Sequence, residues 1–166
     1  MRNPHRYLLG AVVLAAAFTA SAGTVNVSFL EPSRYADAGN SAWDEEDNMK
    51  ALAAYLQALG HRYLPANQVL KVEVLDLDLA GTVRPSRRDG DSVRIVKGRT
   101  DYPRINVRFT LEADGKVLQR GEEWVLDMNF TRGLPVQRDY SGLAYEKRML
   151  AGWFRQRFGD LRTAAG

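Results

Sequence analysis

The chain has no cysteine and, beyond its N-terminal stretch, no long apolar run. The first absence excludes disulfides, a lipid-attachment cysteine and cysteine-histidine zinc sites. The second leaves nothing outside the N-terminus long enough for the roughly 20 apolar residues of a membrane-spanning helix. Histidine is scarce as well: there are two, His5 and His61, and only His61 lies outside the N-terminal stretch. A serine triad would depend wholly on it, and no Gly-x-Ser-x-Gly turn, Walker-type loop or dinucleotide fingerprint occurs. There is no internal repeat and no low-complexity block. The sequence therefore offers no recognisable catalytic motif, no cofactor signature and no metal signature.

What is present begins with a leader. Arg2 and Arg6 precede the apolar run Tyr7 to Phe18, which is followed by Thr19-Ala20-Ser21-Ala22-Gly23, a small-x-small pattern of the kind that signal peptidase cuts. Residues 1–22 read as a cleaved export signal, with cleavage near Ala22 and a periplasmic or secreted destination. Residues 23–166 read as one domain. Removing the leader lowers the formal charge from +3 to +1, since it carries Arg2 and Arg6 and no acid. The basic precursor thus says little about partners. Charge is nevertheless segregated: from Arg84 to Arg104 seven basic residues face three acidic ones. With little aromatic interleaving in that stretch, no nucleic acid is expected, and an anionic lipid surface suits it better.

The longest pattern is PRINVRFTLEADGKVLQRGEEWVLDMNF at 103–130. Ile105, Val107, Phe109 and Leu111 alternate with polar residues, as on a strand with one covered face. Asp114-Gly115 supplies the two positive-φ positions of a type I′ turn. That turn predicts 111 opposite 118, 109 opposite 120, 107 opposite 122 and 105 opposite 124, with Trp124, Leu126 and Met128 beside Ile105 on the covered face. Arg120 and Glu122 then also fall on that face; either they pair with each other, or a bulge at Gly121 turns one outward.

Around this hairpin, Thr24 to Leu30 alternates as a first strand. Ser41 caps a helix of about 18 residues whose face is Met49, Leu52, Leu56 and Leu59 and which Gly60 ends. Val69 to Ala80 is a strand whose alternation changes phase near Val74, which predicts a bulge there. The segment 81–101 reads as a long loop with a short strand at 92–97. Leu143, Met149, Leu150, Trp153, Phe154 and Phe158 form the stripe of a final helix, capped by Asp139 or Ser141 and closed by Gly159. The sum is an α+β domain: a two-layer sandwich in which two helices pack on one face of a mostly antiparallel, four- or five-stranded sheet.

Five stretches, FLEPSRYADAG at 29–39, LDLDLAG at 75–81, YPRI at 102–105, GEEWVLDMN at 121–129 and YEKRMLAGWF at 145–154, together resemble the bacterial secreted family catalogued as domain of unknown function 3016. The resemblance implies export to the cell envelope and a single domain; it implies no activity and assigns no site.

Candidate binding residues come from charge on the sheet. Asp76 and Asp78, two apart on a strand, hold their carboxylates on one face roughly 7 Å apart. Glu123 and Asp127 on the open hairpin face could join them, as could Glu122, while Arg104 and Arg108 could neutralise the acids instead. The bland alternative is a salt-bridged, solvated face. Two functions follow as expectations: a non-catalytic binding or envelope-associated module, engaging an envelope protein, a glycan or an anionic lipid, or a metal-assisted hydrolase using Asp76, Asp78 and Asp127.

Overall fold

The computed structural model describes residues 22–85, 92–98, 100–132 and 142–159. Residues 1–21, where most of the export signal is expected, the basic residues Arg87, Arg88 and Arg99, and the capping candidates Asp139 and Ser141 fall outside them. In chain order the elements are β1 (Thr24–Phe29), a 3-10 turn (Pro32–Arg34), α1 (Ala42–Tyr63), β2 (Gln68–Asp78), β3 (Thr82–Pro85), β4 (Ser92–Ile95), β5 (Arg104–Ala113), β6 (Lys116–Leu126) and α2 (Ala144–Phe158). The expected α+β arrangement is observed. Four strands lie in the order β1-β2-β5-β6, with β1 parallel to β2 and the other pairs antiparallel. Both helices cover one face: Leu52 and Leu56 of α1 and Leu150, Phe154 and Phe158 of α2 are buried in one cluster with Leu70, Val72, Val107 and Leu111 of the sheet.

Local chemistry explains the element ends. Ser41 caps α1 as expected, its hydroxyl accepting from Asp44 N at 3.2 Å. Gly60 does not end the helix, which runs on to Tyr63 and closes with Leu64 N–H donating to the Gly60 carbonyl at 2.9 Å. Its missing side chain serves packing instead, because a Cβ there would lie 2.2 Å from Val25 Cγ2. The glycine lets α1 lie directly on β1. In β2 the pairing with β5 shifts between Val74 and Asp76. This is the expected bulge, and it returns Leu77 to the same buried side as Leu70, Val72 and Val74. The 81–101 segment is more regular than expected, since β3 pairs with β4 in a separate two-stranded ribbon.

The hairpin corrects the expected assignment of faces. Asp114 (φ 50°) and Gly115 (φ 77°) make the turn, and Ala113 sits opposite Lys116. The register then slips by one at Leu111/Glu112. The slip leaves Leu118 as an extra residue, so from Gln119 onward each side chain lies on the face opposite to that expected. Ile105 faces Val125 and Asn106 faces Trp124. Trp124, Leu126 and Met128 are 48%, 41% and 51% exposed rather than covered. Arg120 and Glu122 point outward; the bulge that achieves this lies nearer the turn than Gly121.

The reason lies in the opposite layer. Phe109 faces Gly121, where a Cβ would come within 3.0 Å of the Phe109 ring. Trp153 and Phe158 meet that ring edge-on, with centroids at 6.0 and 5.8 Å. The aromatic side chains of α2 occupy the volume that Trp124 would have filled. Alternation along β6 alone could not show this, because the space is taken by residues about thirty positions downstream.

Two glycines with opposite surroundings make a test. Gly60→Ala is expected to lose roughly 1–3 kcal/mol by overpacking against Val25. Gly152, inside α2 with nothing within 4 Å of its would-be Cβ, is expected on mutation to alanine to gain about 0.5–1 kcal/mol. Urea unfolding of both variants measures the signs.

Candidate functional site

The C-terminal ends of β2 and β6 and the start of β5 meet at one end of the sheet, where the ionic contacts are densest. Asp76 Oδ1 accepts from Ala36 N and Leu77 N, both at 2.9 Å, which pins the 33–40 loop to the strand. Asp78 takes Arg104 through Nε at 2.9 Å and Nη2 at 2.8 Å, and the same guanidinium lies 5.8 Å from the Trp124 ring centroid. Beside Asp78, Asp37 forms an isolated bridge, and its carboxylate receives both terminal nitrogens of Arg94 at 2.8 Å. Fork-on-carboxylate pairing of this kind fixes geometry as well as charge. Burial pushes the Tyr35 hydroxyl up to about 12. It donates to the Val74 carbonyl at 2.9 Å.

On the helix side, Glu146 of α2 is 2% exposed, and its Oε1 accepts from Ala80 N at 2.7 Å. Asp127 accepts from Arg148 at 3.0 Å and from Asn129 N at 2.9 Å. Glu123 Oε1 accepts from Trp153 Nε1 at 2.8 Å and from Arg157 Nε at 2.9 Å, and Arg157 also bonds Oε2. These two acid–arginine pairs bracket a groove of about 380 Å³ between β6 and α2, walled by Trp124, Leu126, Met149, Gly152 and Trp153. The spacing fits: four residues of strand cover about 13 Å, and the nine residues from Arg148 to Arg157 cover about 13.5 Å of helix. The strand and helix therefore run antiparallel alongside each other.

The middle of the open face carries a separate row. Arg108 bridges Glu73 at 3.2 Å and Glu122 at 3.0 Å, and Lys71 pairs with Glu112 at 2.7 Å. The Glu122 hydrogen bond, reinforced by Glu73, raises the Arg108 pKa. Arg120, on the same face, makes no ion pair among the described residues.

The candidates read from the sequence are thus distributed over three places. Asp76, Asp78 and Arg104 gather at the sheet end; Arg108 and Glu122 lie in the mid-face row. Glu123 and Asp127, expected on the open face, are instead turned toward α2 by the register of β6. Among the described residues no three carboxylate or histidine side chains are grouped so as to hold a metal ion. Asp37, Arg94, Glu146, Arg148, Trp153 and Arg157 were not legible as site residues. The matched Glu123/Asp127 and Arg148/Arg157 spacings were the available signal, and they mean something only once α2 is laid along β6.

A family model described as "Protein of unknown function (DUF3016)" matches residues 23–156, the family that the five stretches resemble. No curated protein and no solved structure matches the chain. Those stretches meet at the sheet end: Asp37 bridges Asp78, Asp78 pairs with Arg104, Asp127 N donates to Pro103 O, and Arg148 reaches Asp127. Among the described residues no helix is long and apolar enough to cross a membrane.

Glu123 gives a pH test. Burial opposes its ionisation, but the hydrogen bonds from Arg157 and Trp153 and the charge of Arg157 outweigh it and hold the carboxyl below the usual glutamate range. A depressed folded-state pKa stabilises above the unfolded value, and the contribution is lost as pH falls through the folded value. Glu123→Gln is therefore expected to be less stable than the parent at neutral pH, the gap closing below about pH 4. Urea midpoints measured across that range decide; a gap that does not change with pH would rule out the ionic origin.

Proposed function

The chain belongs to the DUF3016 family, and on that premise we propose that it is a non-catalytic, exported (periplasmic) module that docks a polypeptide strand along β6 and the groove beside α2. The observation that carries this reading is the state of β6. Among the described residues it is an edge strand, and Asp127 N donates to Pro103 O at 3.3 Å. Hydrogen-bonded pairs alternate in an antiparallel ladder, so Arg120, Glu122, Trp124 and Leu126 direct their N–H and C=O groups away from β5. A long edge with free backbone groups and exposed apolar side chains is a template for another strand. Val117 and Leu118 add to it, at 57% and 54% exposure.

Of the envelope partners compatible with the sequence, a polypeptide uses these backbone groups; a glycan or an anionic lipid does not need them. Catalysis is less well supported, because each candidate carboxylate is engaged by an arginine or a backbone amide rather than left to accept a proton. The leader at 1–22 supports export. The alternative reading, a metal-assisted hydrolase on Asp76, Asp78 and Asp127, has those carboxylates pinning a loop, pairing with Arg104 and pairing with Arg148 respectively.

Two measurements separate the readings. Tagged protein is expected to retain a specific polypeptide from envelope extracts, and Trp124→Glu to lose it at least about tenfold; equal capture by both forms would sink the docking reading. Millimolar calcium, magnesium or manganese is expected to leave the melting temperature unchanged, whereas a rise would shift the balance to the hydrolase.

A further inference from the structure

We propose that the strand occupying β6 is the β6 of a second copy of this chain, antiparallel to the first, with the twofold axis at Gly121. The inference rests on the reading of β6 as a docking edge and names what docks there. An isologous strand pair is self-complementary, so its register is fixed by which residues tolerate facing each other.

Only registers that oppose one free-edge residue to another can exchange backbone hydrogen bonds, and the free-edge residues are Arg120, Glu122, Trp124 and Leu126. An axis at Arg120 would set Arg120 against Arg120, and an axis at Glu122 would set Glu122 against Glu122. Like charges directly opposite destabilise a strand pair. Axes at Glu123, Trp124 or Val125 set Glu122 against Trp124, Leu126 or Met128 and leave it without an opposite charge, whereas the axis at Gly121 sets Arg120 of each copy against Glu122 of the other, twice over.

The neighbouring rows of the sheet support this choice. Within one chain Glu73, Arg108 and Glu122 lie in one register row and are joined by ion pairs. Arg120 lies in the next row, opposite Thr110, and makes no ion pair among the described residues. The second copy continues the first row with its own Arg120, so that acid and base alternate from β2 of one chain into β6 of the other. The same register places the exposed Trp124 of each copy just past the end of the shared ladder, next to the bulge of the other copy. The bulge at Leu118 ends the regular ladder on each side, confining it to Gln119–Glu123. Association produces one eight-stranded sheet with its ionic faces side by side.

The absence of cysteine makes the register directly testable. In a hydrogen-bonded antiparallel pair the Cα atoms are about 5.5 Å apart, within disulfide range. An equimolar mixture of Arg120→Cys and Glu122→Cys chains is expected, on mild oxidation, to give the mixed 120–122 disulfide well above its statistical share. Asn26→Cys on the opposite edge is expected to cross-link only at background. Sedimentation of the full mature chain is expected to show a dimer that Arg120→Glu weakens at least about tenfold and that mixing Arg120→Glu with Glu122→Arg restores. Arg120→Glu removes no ion pair among the described residues, so its fold is checked by a far-UV spectrum that matches the parent and by equal melting temperatures at concentrations low enough for both forms to be monomeric. A monomer at about 100 µM, or disulfides in statistical proportion, overturns the second copy. If Trp124-dependent capture from envelope extracts persists in that case, the docking edge stands with another partner; if it is lost as well, both readings fall.

Discussion

The arrangement of this protein depends on how one volume is filled: the space above β5 and β6, which Trp153, Phe154 and Phe158 of α2 take with Phe109. Their ring centroids lie 4.9 to 6.0 Å apart, mostly edge to face, the geometry that aromatic quadrupoles favour. Because α2 brings the bulk, the strand beneath must be thin. Gly121 supplies the thinness, and Glu123 supplies an acceptor for the Trp153 indole N–H. What β6 would otherwise bury is displaced to the outer face, and the surface chemistry of the molecule follows from that displacement.

This is also where reading the sequence reached its limit. Helix α1 with its Ser41 cap, the aromatic stripe of α2, the Asp114-Gly115 turn and the bulge in β2 were all legible, because each is written in local spacing or turn chemistry. The layer arrangement followed from them, since two one-sided helices and a one-sided sheet have few ways to bury their apolar surfaces. The register of β6 was not legible. Both phases of Gln119 to Leu126 carry apolar and charged residues, so periodicity does not choose between them, and the deciding contact is with a helix far along the chain. Gly60 shows the same limit: near a helix end a glycine looks like a terminator, and only the approach of Val25 identifies it as a spacer.

The ionic residues divide by role along the same line. At the sheet end, Asp76, Asp78 and Asp37 hold a loop, a strand end and the β3–β4 ribbon to one another through Arg104, Arg94 and backbone amides. A cysteine-free chain gets its long-range ties from such contacts. Asp37 and Arg94 lie 57 positions apart, Ala80 and Glu146 lie 66. The mid-face row between β2, β5 and β6 ties strands that already pair; it shapes a surface.

The parallel pairing of β1 with β2 also sets how much chain must be ordered to complete the sheet. Thr24 faces Val69 and Phe29 faces Val74, so the first strand synthesised has no neighbour until the whole of α1 and the strand after it have followed. The β5–β6 hairpin, by contrast, closes across two residues and can form as soon as it exists. The two edges of the sheet therefore differ in what must be ordered to close them: a two-residue turn at β6, and the whole of α1 at β1.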